Sequence, residues 1–402
     1  MGDIYSAIKV SDHVYWVGAI DWTIRDFHGY TTPHGSTYNA YLVMADKITL
    51  IDTVKAPFMD EMLDRIASVV DPSKIDYVVS NHSEQDHSGC LFEVIDRIKP
   101  EKVFASPMGV KNLKDIFHND YNILPVKDGE ILSLGNMDLK FMETRMIHWP
   151  DSMFSYLEKD GLLFSQDAFG MHLATLERFA DELPAEQLAY EAATYYANIV
   201  LPYSPVVLKT LEKVAATGWA IKIFAPDHGP IWRKDLGFIL GLYQRWAQQK
   251  PANKAVVVYA TMWHSTEMMA RAIAESMARE GVQVRLLSMN ETHRSEVVYE
   301  VLEAGALIVG SPTLNNNILP QMADVMTYLK GLKPVNLIGT AFGSFGWSGE
   351  SVKDLEAILK EMKVEIVAEP VSVKHVPGKD VLEKCSDLGK SIASELKKKL
   401  SH

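Results

Sequence analysis

The hexapeptide His82-Ser83-Glu84-Gln85-Asp86-His87 places four metal-ligating side chains on one short stretch of chain. It directly follows an apolar run at residues 77–80, which predicts a β-strand. An isolated histidine, such as His172, is most often an ordinary surface or capping residue. That explanation fails for the hexapeptide, because so much charge on one loop repels itself unless a cation neutralises it. The stretch therefore predicts a metal site at the end of a strand.

Three later positions extend this site. His148, Asp167 and His228 each lie at the end of an apolar run, where strands bring side chains to one edge of a sheet. Imidazoles combined with three carboxylates suit two transition metals that share a bridging carboxylate. We predict no catalytic residue beyond the metal ligands. The predicted ligands are His82, Glu84, Asp86, His87, His148, Asp167 and His228.

The chain divides into two differently built halves at a polar, proline-bearing stretch, residues 248–254. In the first half strands outnumber helices, which come singly between them, and this pattern predicts an α/β sandwich. In the second half, short apolar runs alternate with amphipathic helices, which predicts a doubly wound parallel sheet of five strands. These runs are residues 255–259, 283–287, 306–310, 335–340 and 364–367. The predicted domains are residues 1–250 and 251–402.

Three loops of the second half have the character of a flavin site. Residues 260–267 lead from the first strand directly into a helix, whose N-terminal N–H groups and hydroxyls can hold a phosphate. Such a helix start is usually only an N-cap, but residues 311–316 and 343–349 reach the same sheet edge. Trp347 is placed to stack on a flavin ring with Trp263 on its other side; a buried structural tryptophan is the alternative for either. The predicted flavin-binding residues are Thr261, Met262, Trp263, His264, Ser265, Thr266, Ser311, Pro312, Thr313, Asn315, Asn316, Ser344, Phe345, Gly346, Trp347, Ser348 and Gly349.

The order of the metal motifs resembles that of the metallo-β-lactamase fold, whose zinc hydrolases carry His-x-His-x-Asp-His. In this chain Glu84 stands at the position of the second histidine. An anionic oxygen donor suits redox-active iron better than hydrolytic zinc. Together with the second domain, this residue makes the chain resemble the flavodiiron family, whose motif is His-x-Glu-x-Asp-His followed by His, Asp and His. The resemblance covers nearly the whole chain.

This resemblance implies a fold, two cofactors and an assembly. The fold is an N-terminal metallo-β-lactamase-like αββα sandwich followed by a flavodoxin-like doubly wound sheet. The cofactors are FMN and two iron ions, and the assembly is a head-to-tail homodimer or a dimer of dimers. One iron is expected at His82, Glu84 and His148, the other at Asp86, His87 and His228, with Asp167 between them. Coordination by His87 stays open, because water replaces the equivalent imidazole in some members. Phe27, His28 and Tyr195 are candidates for the pocket wall, with plain packing as the alternative.

The function implied by the resemblance is the reduction of dioxygen to water, of nitric oxide to nitrous oxide, or of both. Electrons would arrive through FMN from an external donor such as rubredoxin or reduced coenzyme F420 (F420H2). One alternative is a binuclear zinc hydrolase of the metallo-β-lactamase superfamily. Another is a flavodoxin-type electron carrier with a structural metal. The residues do not separate dioxygen from nitric oxide, because both reactions use the same ligands.

Composition excludes several classes of partner. The 402-residue chain has a formal net charge of −12, which opposes binding to nucleic acid or to an anionic membrane surface. It contains no run of about 18 apolar residues, and its first residues lack the pattern of a signal peptide. Its two cysteines, Cys90 and Cys385, are far apart and in no metal-binding spacing. We therefore expect a cytoplasmic protein.

Overall fold

The computed structural model describes residues 4–118 and 120–401. The chain forms two compact units, of which the first comprises the chain up to Tyr195 together with Pro205–Gln244. The second comprises Tyr196–Ser204 and the chain from Arg245 onward. The boundary expected between residues 250 and 251 stays a prediction. No helix in the described part of the chain is both long and apolar enough to cross a membrane.

The first part of the chain is rich in short strands. They are β1 Ile8–Lys9, β2 Val14–Trp16, β3 Ala19–Asp21, β4 Asp26–Phe27, β5 Tyr30–Thr31, β6 Ser36–Tyr38, β7 Tyr41–Val43, β8 Thr49–Ile51, β9 Tyr77–Ser80, β10 Lys102–Ala105, β11 Ile123–Pro125, β12 Ile131–Ser133, β13 Asp138–Glu143, β14 Met153–Leu157, β15 Leu162–Gln166 and β16 Ile223–Pro226. The helices are α1 Met59–Ala67, α2 Gln85–Ser88, α3 Leu91–Ile98, α4 Pro107–Phe117, α5 Ala185–Tyr195, α6 Ser204–Ala216 and α7 Leu236–Gln248.

Two sheets form the centre of the first unit. One has the strand order β1-β2-β7-β8-β9-β10-β11 and the other the order β12-β13-β14-β15-β16. Buried side chains of both sheets, among them Trp16, Val79, Phe141 and Phe164, share one hydrophobic cluster. A second cluster joins the first sheet to α1, α3 and α4. On the second sheet, Phe224 of β16 stacks on Phe169, whose ring packs against Tyr243 of α7. Helices therefore adjoin both sheets, and the arrangement is an αββα sandwich.

Parallel pairing brings the metal loop to one edge of the sandwich. Strand β9 is buried along its whole length and lies parallel to β8 and β10, with Tyr77 opposite Thr49 and Lys102. In the second sheet β15 and β16 are also parallel. Parallel neighbours end at the same edge of a sheet, so the residues that follow β9, and those that follow β15 and β16, emerge at carboxyl edges.

The short segment Tyr196–Ser204 belongs to the second unit although the first unit surrounds it in the sequence. It consists of a π-helical turn, Tyr196–Val200, and a 3-10 turn, Leu201–Tyr203. Asn198 fixes it, because its side-chain N–H donates to the Ser295 carbonyl at 3.3 Å. Its side-chain oxygen accepts from the Tyr328 hydroxyl at 3.0 Å.

The remainder of the second unit alternates strands and helices. The strands are β17 Lys254–Tyr259, β18 Gln283–Ser288, β19 Ala306–Gly310, β20 Thr313–Leu314, β21 Asn317–Ile318, β22 Ile338–Phe345, β23 Glu365–Ile366 and β24 Val371–Lys374. The helices are α8 Ser265–Arg279, α9 Arg294–Val301, α10 Pro320–Leu332, α11 Glu350–Glu361 and α12 Lys379–Leu400. The parallel sheet has the order β18-β17-β19-β22-β23, with β24 also paired to β22. This is the predicted doubly wound sheet.

Two strands of this sheet differ from their predicted ranges. The strand expected at residues 335–340 begins only at Ile338, because Asn336 has a φ of +64° and cannot join an extended strand. The same strand runs on to Phe345, so residues 343–345 are strand rather than loop. The strand predicted at residues 364–367 is β23, Glu365–Ile366, whereas β24, which follows Pro370, was not predicted. The sheet therefore has six strands instead of the predicted five.

Candidate metal and flavin sites

The predicted metal ligands converge into two adjoining groups. His82, Glu84, His148 and Asp167 form the first group, in which the candidate ligand atoms all lie within 4.8 Å of one another. Asp86, His87 and His228 form the second group under the same limit. These side chains come from the loop after β9 and the short helix α2 that follows it, from the loop between β13 and β14, and from the residues that follow β15 and β16. All seven predicted ligands are therefore together.

Asp167 lies between the two groups and gives one oxygen to each. Its Oδ2 is 3.1 Å from His82 Nε2 and 3.0 Å from His148 Nε2. Its Oδ1 is 3.3 Å from His87 Nε2 and 3.5 Å from His228 Nε2. A carboxylate placed in this way could serve two metal ions at once.

Hydrogen bonds hold the ligand loops in this position. The backbone and side-chain N–H groups of Asn81 donate to the buried Asp52 carboxylate at 2.7 and 2.8 Å. His228 Nδ1 donates to the Thr37 carbonyl at 2.6 Å, which leaves its Nε2 for the site. Gly229 has a φ of +74°, and a Cβ there would meet Met171 at 2.7 Å. Glycine is therefore required directly after His228.

The donor atoms fit bound cations better than they fit one another. Both carboxylate oxygens of Asp86 and of Asp167 are buried and have no hydrogen-bond partner. His87 Nε2 and His228 Nε2 face each other at 3.1 Å. Buried polar atoms normally find partners, and two imidazole nitrogens at this distance are natural ligands of an ion placed beside them. The residues present therefore fit two metal ions.

The titration behaviour of the histidines points the same way. Burial alone would lower the pKa of His148, but Asp167 and Glu84 raise it to about 9. Burial would likewise lower the pKa of His82, but Asp167, Asp151 and Glu84 hold it well above its usual value. The buried carboxylates thus demand positive charge. Metal ions would supply that charge and leave the imidazoles neutral, as ligands must be.

Two further carboxylates lie on the Nδ1 side of ligand imidazoles, and they were not identified from the sequence. Asp151 Oδ1 is 3.8 Å from His82 Nδ1, and Asp227 Oδ2 is 3.7 Å from His87 Nδ1. Carboxylates at the far nitrogen of an imidazole orient the ring and set its tautomer. Asp227 was visible beside His228 and Asp151 soon after His148, but a single aspartate in a loop carries no distinguishing pattern.

The three residues predicted for the pocket wall lie beside the metal groups. His28 Nε2 makes a short hydrogen bond with Glu84 Oε1. The ring centroid of Phe27 lies 4.2 Å from the ring centroid of His28 and 6.1 Å from that of His228. The buried ring of Tyr195 lies 6.1 Å from that of His228. An aromatic wall therefore covers the site.

His172, interpreted in the sequence as an ordinary histidine, belongs to the same wall. It is buried, and its ring lies 4.5 Å from the rings of Phe27 and His228. Its Nδ1 lies 2.7 Å from Ser36 Oγ, while its Nε2 has no hydrogen-bond partner. That interpretation was wrong, because a lone histidine gives no sign of its place until the loop after Asp167 is folded.

A cavity of about 550 Å³ lies at the carboxyl edge of the sheet in the second unit. Trp263 and Trp347 on its border are 87% and 90% exposed, so neither is the buried structural tryptophan of the alternative. Thr261 Oγ1, at the start of the first loop, is buried and without a hydrogen-bond partner. The cavity also adjoins the N-terminus of α8, which attracts phosphate. These features fit a flavin with a phosphate tail.

Most predicted flavin-binding residues line this cavity, and four do not. The lining contains Thr261, Met262, Trp263, Ser265, Pro312, Thr313, Asn315, Asn316, Ser344, Phe345, Gly346, Trp347 and Ser348. His264 turns outward to Glu267, and the buried Thr266 hydroxyl meets Ser344 Oγ at 3.0 Å. Ser311 Oγ donates to the Pro312 carbonyl, and Gly349 is the N-cap of α11. Leu314, His375 and Val376 also line the cavity and were missed, the last two because they follow an unpredicted strand, β24.

Comparison with known proteins gives two family matches in successive parts of the chain. Residues 37–229 match the family described as "ODP family beta lactamase", and residues 257–389 match "Flavodoxin". The "Rubredoxin-oxygen oxidoreductase" of Megalodesulfovibrio gigas is 49% identical over 98% of this chain and 99% of that protein. The "Nitric oxide reductase" of Moorella thermoacetica is 44% identical over 97% and 98%, respectively. The crystal structure of the flavodiiron protein from Giardia intestinalis superposes with a TM-score of 0.95 at 34% identity, covering 99% of this chain and 98% of that one.

The chain belongs to the flavodiiron protein family. Membership confirms the predicted fold class, a metallo-β-lactamase-like domain followed by a flavodoxin domain. It also confirms the predicted oxidoreductase class and the cofactors of a flavodiiron protein, FMN and a two-iron centre. The zinc hydrolase alternative is not favoured.

Proposed function

We propose that this flavodiiron protein reduces dioxygen to water, nitric oxide to nitrous oxide, or both. The observation that carries the proposal is Asp167, which places one oxygen in each of two adjoining ligand groups. Glu84 adds a carboxylate to the first group, which favours iron. When bound, two irons supply binding of a diatomic gas and electrons for its reduction, and FMN supplies electrons singly or in pairs.

The chain's own residues contribute position and seclusion. Asp167 spaces the two groups, and the hydrogen bond from His28 holds the Glu84 carboxylate in its orientation. Asp151 and Asp227 orient the imidazoles from behind. The aromatic wall of Phe27 and Tyr195 keeps bulk water away, which strengthens every electrostatic interaction inside.

The proposal includes the partners and the assembly. We propose rubredoxin or reduced F420 as the external electron donor and a cytoplasmic location, for which the two free, buried cysteines are support. We also propose a head-to-tail homodimer, or a dimer of dimers. The support is that the metal groups and the flavin cavity each occupy the carboxyl edge of their own unit's sheet. A two-fold pair lets each subunit give its flavin to the partner's metal site and receive the same in return.

Metal and flavin analysis followed by single-turnover kinetics tests the reaction. Protein grown with ample iron should contain about two irons and one FMN per chain. The reduced protein, mixed anaerobically with each gas in turn, should be reoxidised within one turnover by dioxygen, nitric oxide or both. Stoichiometric zinc without flavin absorbance would instead identify a hydrolase.

Subunit exchange tests the assembly. A double variant without the metal site, His82→Ala with His148→Ala, is mixed with a variant that lacks FMN, under conditions that exchange subunits. Hybrids should regain part of the activity, because each contains one competent pair of flavin and metal centre. The unmixed variants are the controls. Hybrids that demonstrably form and remain inactive would contradict the head-to-tail arrangement.

A further inference from the structure

An apolar cavity lies behind the metal groups, within the first unit. Its wall includes Ile147, Ala168 and Phe169 from the ligand loops, Val207 and Leu211 from α6, and Tyr243 from α7. The centre of a water-sized molecule can occupy about 10 Å³ of the cavity. That is room for a single small molecule.

The cavity is one residue away from two members of the metal site. Ile147 directly precedes His148, and Ala168 directly follows Asp167. Both wall residues are buried, with 3% of their surface exposed. A molecule held in the cavity therefore rests against the residues that adjoin His148 and Asp167 in the chain.

Hydrogen bonds and ring stacking keep the cavity from collapsing. The Phe169 N–H donates to the Tyr243 hydroxyl at 2.9 Å, and Trp232 Nε1 donates to the Phe169 carbonyl at 2.9 Å. The Phe169 ring stacks on Phe224, with centroids 4.6 Å apart and an angle of 19°. Protein interiors are otherwise close-packed, and a space whose wall is fixed in this way persists without a ligand.

We propose that this cavity holds the diatomic gas next to the metal centre. Its walls present apolar atoms, and apolar cavities stay dry and bind nonpolar species such as xenon. Dioxygen is nonpolar and nitric oxide only weakly polar, and both are small molecules, whereas water gains no hydrogen bond from apolar atoms. The role in catalysis rests on the proposed function; the binding of an apolar gas does not.

Xenon is the probe, because it reports binding without turnover. We expect xenon in the cavity, seen in crystals of the loaded protein under xenon pressure and by xenon NMR in solution. Val207→Phe, which fills the space, should abolish that binding and lower kcat/KM for the gas several-fold. Leu211→Ala enlarges the space and should increase xenon binding; it also serves if the overpacked variant fails to fold. Val214→Phe, the same change on α6 at a residue outside the cavity wall, should leave both quantities unchanged.

The outcomes separate the cavity from the reaction. Absence of xenon from the cavity of the wild-type protein would overturn the proposal. So would unchanged kcat/KM for the gas in a Val207→Phe protein that has lost xenon binding. A protein that binds xenon and reduces neither gas would refute the proposed function while supporting the cavity as a gas site.

Discussion

Replacing Asp151 by asparagine should loosen the metal held by His82 while leaving the fold intact. Asp151 Oδ1 lies 3.8 Å from His82 Nδ1, and both side chains are buried. The other carboxylate oxygen accepts from the Ser83 N–H at 2.7 Å. Asparagine has the same shape and can keep the bond to Ser83. The substitution removes the negative charge that favours a proton on His82 Nδ1. Without that charge, the tautomer that leaves His82 Nε2 free to bind metal is less favoured.

The expected loss follows from this geometry. Removing the carboxylate behind a metal-binding imidazole typically costs about 10- to 100-fold in metal affinity, or about 1.4–2.8 kcal/mol. The 3.8 Å separation is longer than a hydrogen bond. We therefore expect the lower end, about tenfold.

Chelator competition followed by metal analysis measures this loss, with FMN content as an internal reference. Asp160→Asn is the matched control. Asp160 is also a buried carboxylate beside a histidine, His13, whose Nδ1 is 2.6 Å away, but it has no part in the metal groups. The control should keep its metal. If Asp151→Asn holds metal as tightly as the wild type, Asp151 does not orient His82 and the reasoning is refuted.

Three further outcomes are expected. Glu84→His should exchange bound iron for zinc and lower gas reduction while FMN stays bound; full iron with full activity would show that Glu84 is not a ligand. Trp347→Ala should weaken FMN binding by about 2- to 13-fold, from about 0.5–1.5 kcal/mol of stacking, whereas Trp219→Ala, which removes a stack on Tyr156 elsewhere, should leave flavin affinity unchanged in the same titration. Burial by itself would raise the pKa of Asp160, but hydrogen bonds from Ser11 and His13 outweigh burial and hold the pKa below its usual value. Asp160 therefore stabilises the fold above its unfolded-state pKa of about 3.9, and this contribution disappears as pH falls through the folded pKa. Denaturant unfolding should show the deficit of Asp160→Asn near neutral pH and a smaller one near pH 3; a deficit independent of pH would contradict this.

The metal groups could be located from the sequence because the positions of the ligands follow from where the strands end. Each predicted ligand lies at or soon after the end of an apolar run, and parallel strands end at a common edge. Asp167 follows β15 at once, and His228 comes two residues after β16. The residues that contact the ligands from behind were not predictable, because Asp151 contacts His82 and His172 contacts Ser36, each far away in the sequence.

The flavin cavity shows the same limit. The residues around Thr261 and Trp347 were predictable because their loops follow recognisable strands. His375 was not, since it follows β24, whose residues alternate between half-buried and exposed and carry no continuous apolar run. Edge strands need less burial than central ones, and their sequence signal is correspondingly weak.

The segment Tyr196–Ser204 makes the flavodoxin-like unit discontinuous along the chain. A fragment that begins at residue 251 would contain every strand of the parallel sheet and still lack Asn198 with its bonds to Ser295 and Tyr328. No single cut separates the two units into whole pieces. During synthesis, residues 196–204 leave the ribosome at least forty residues before the rest of their unit, beginning at Arg245, exists to receive them. The second unit therefore begins to be synthesised before the first unit is finished, and it can fold completely only after the chain beyond Arg245 has been made.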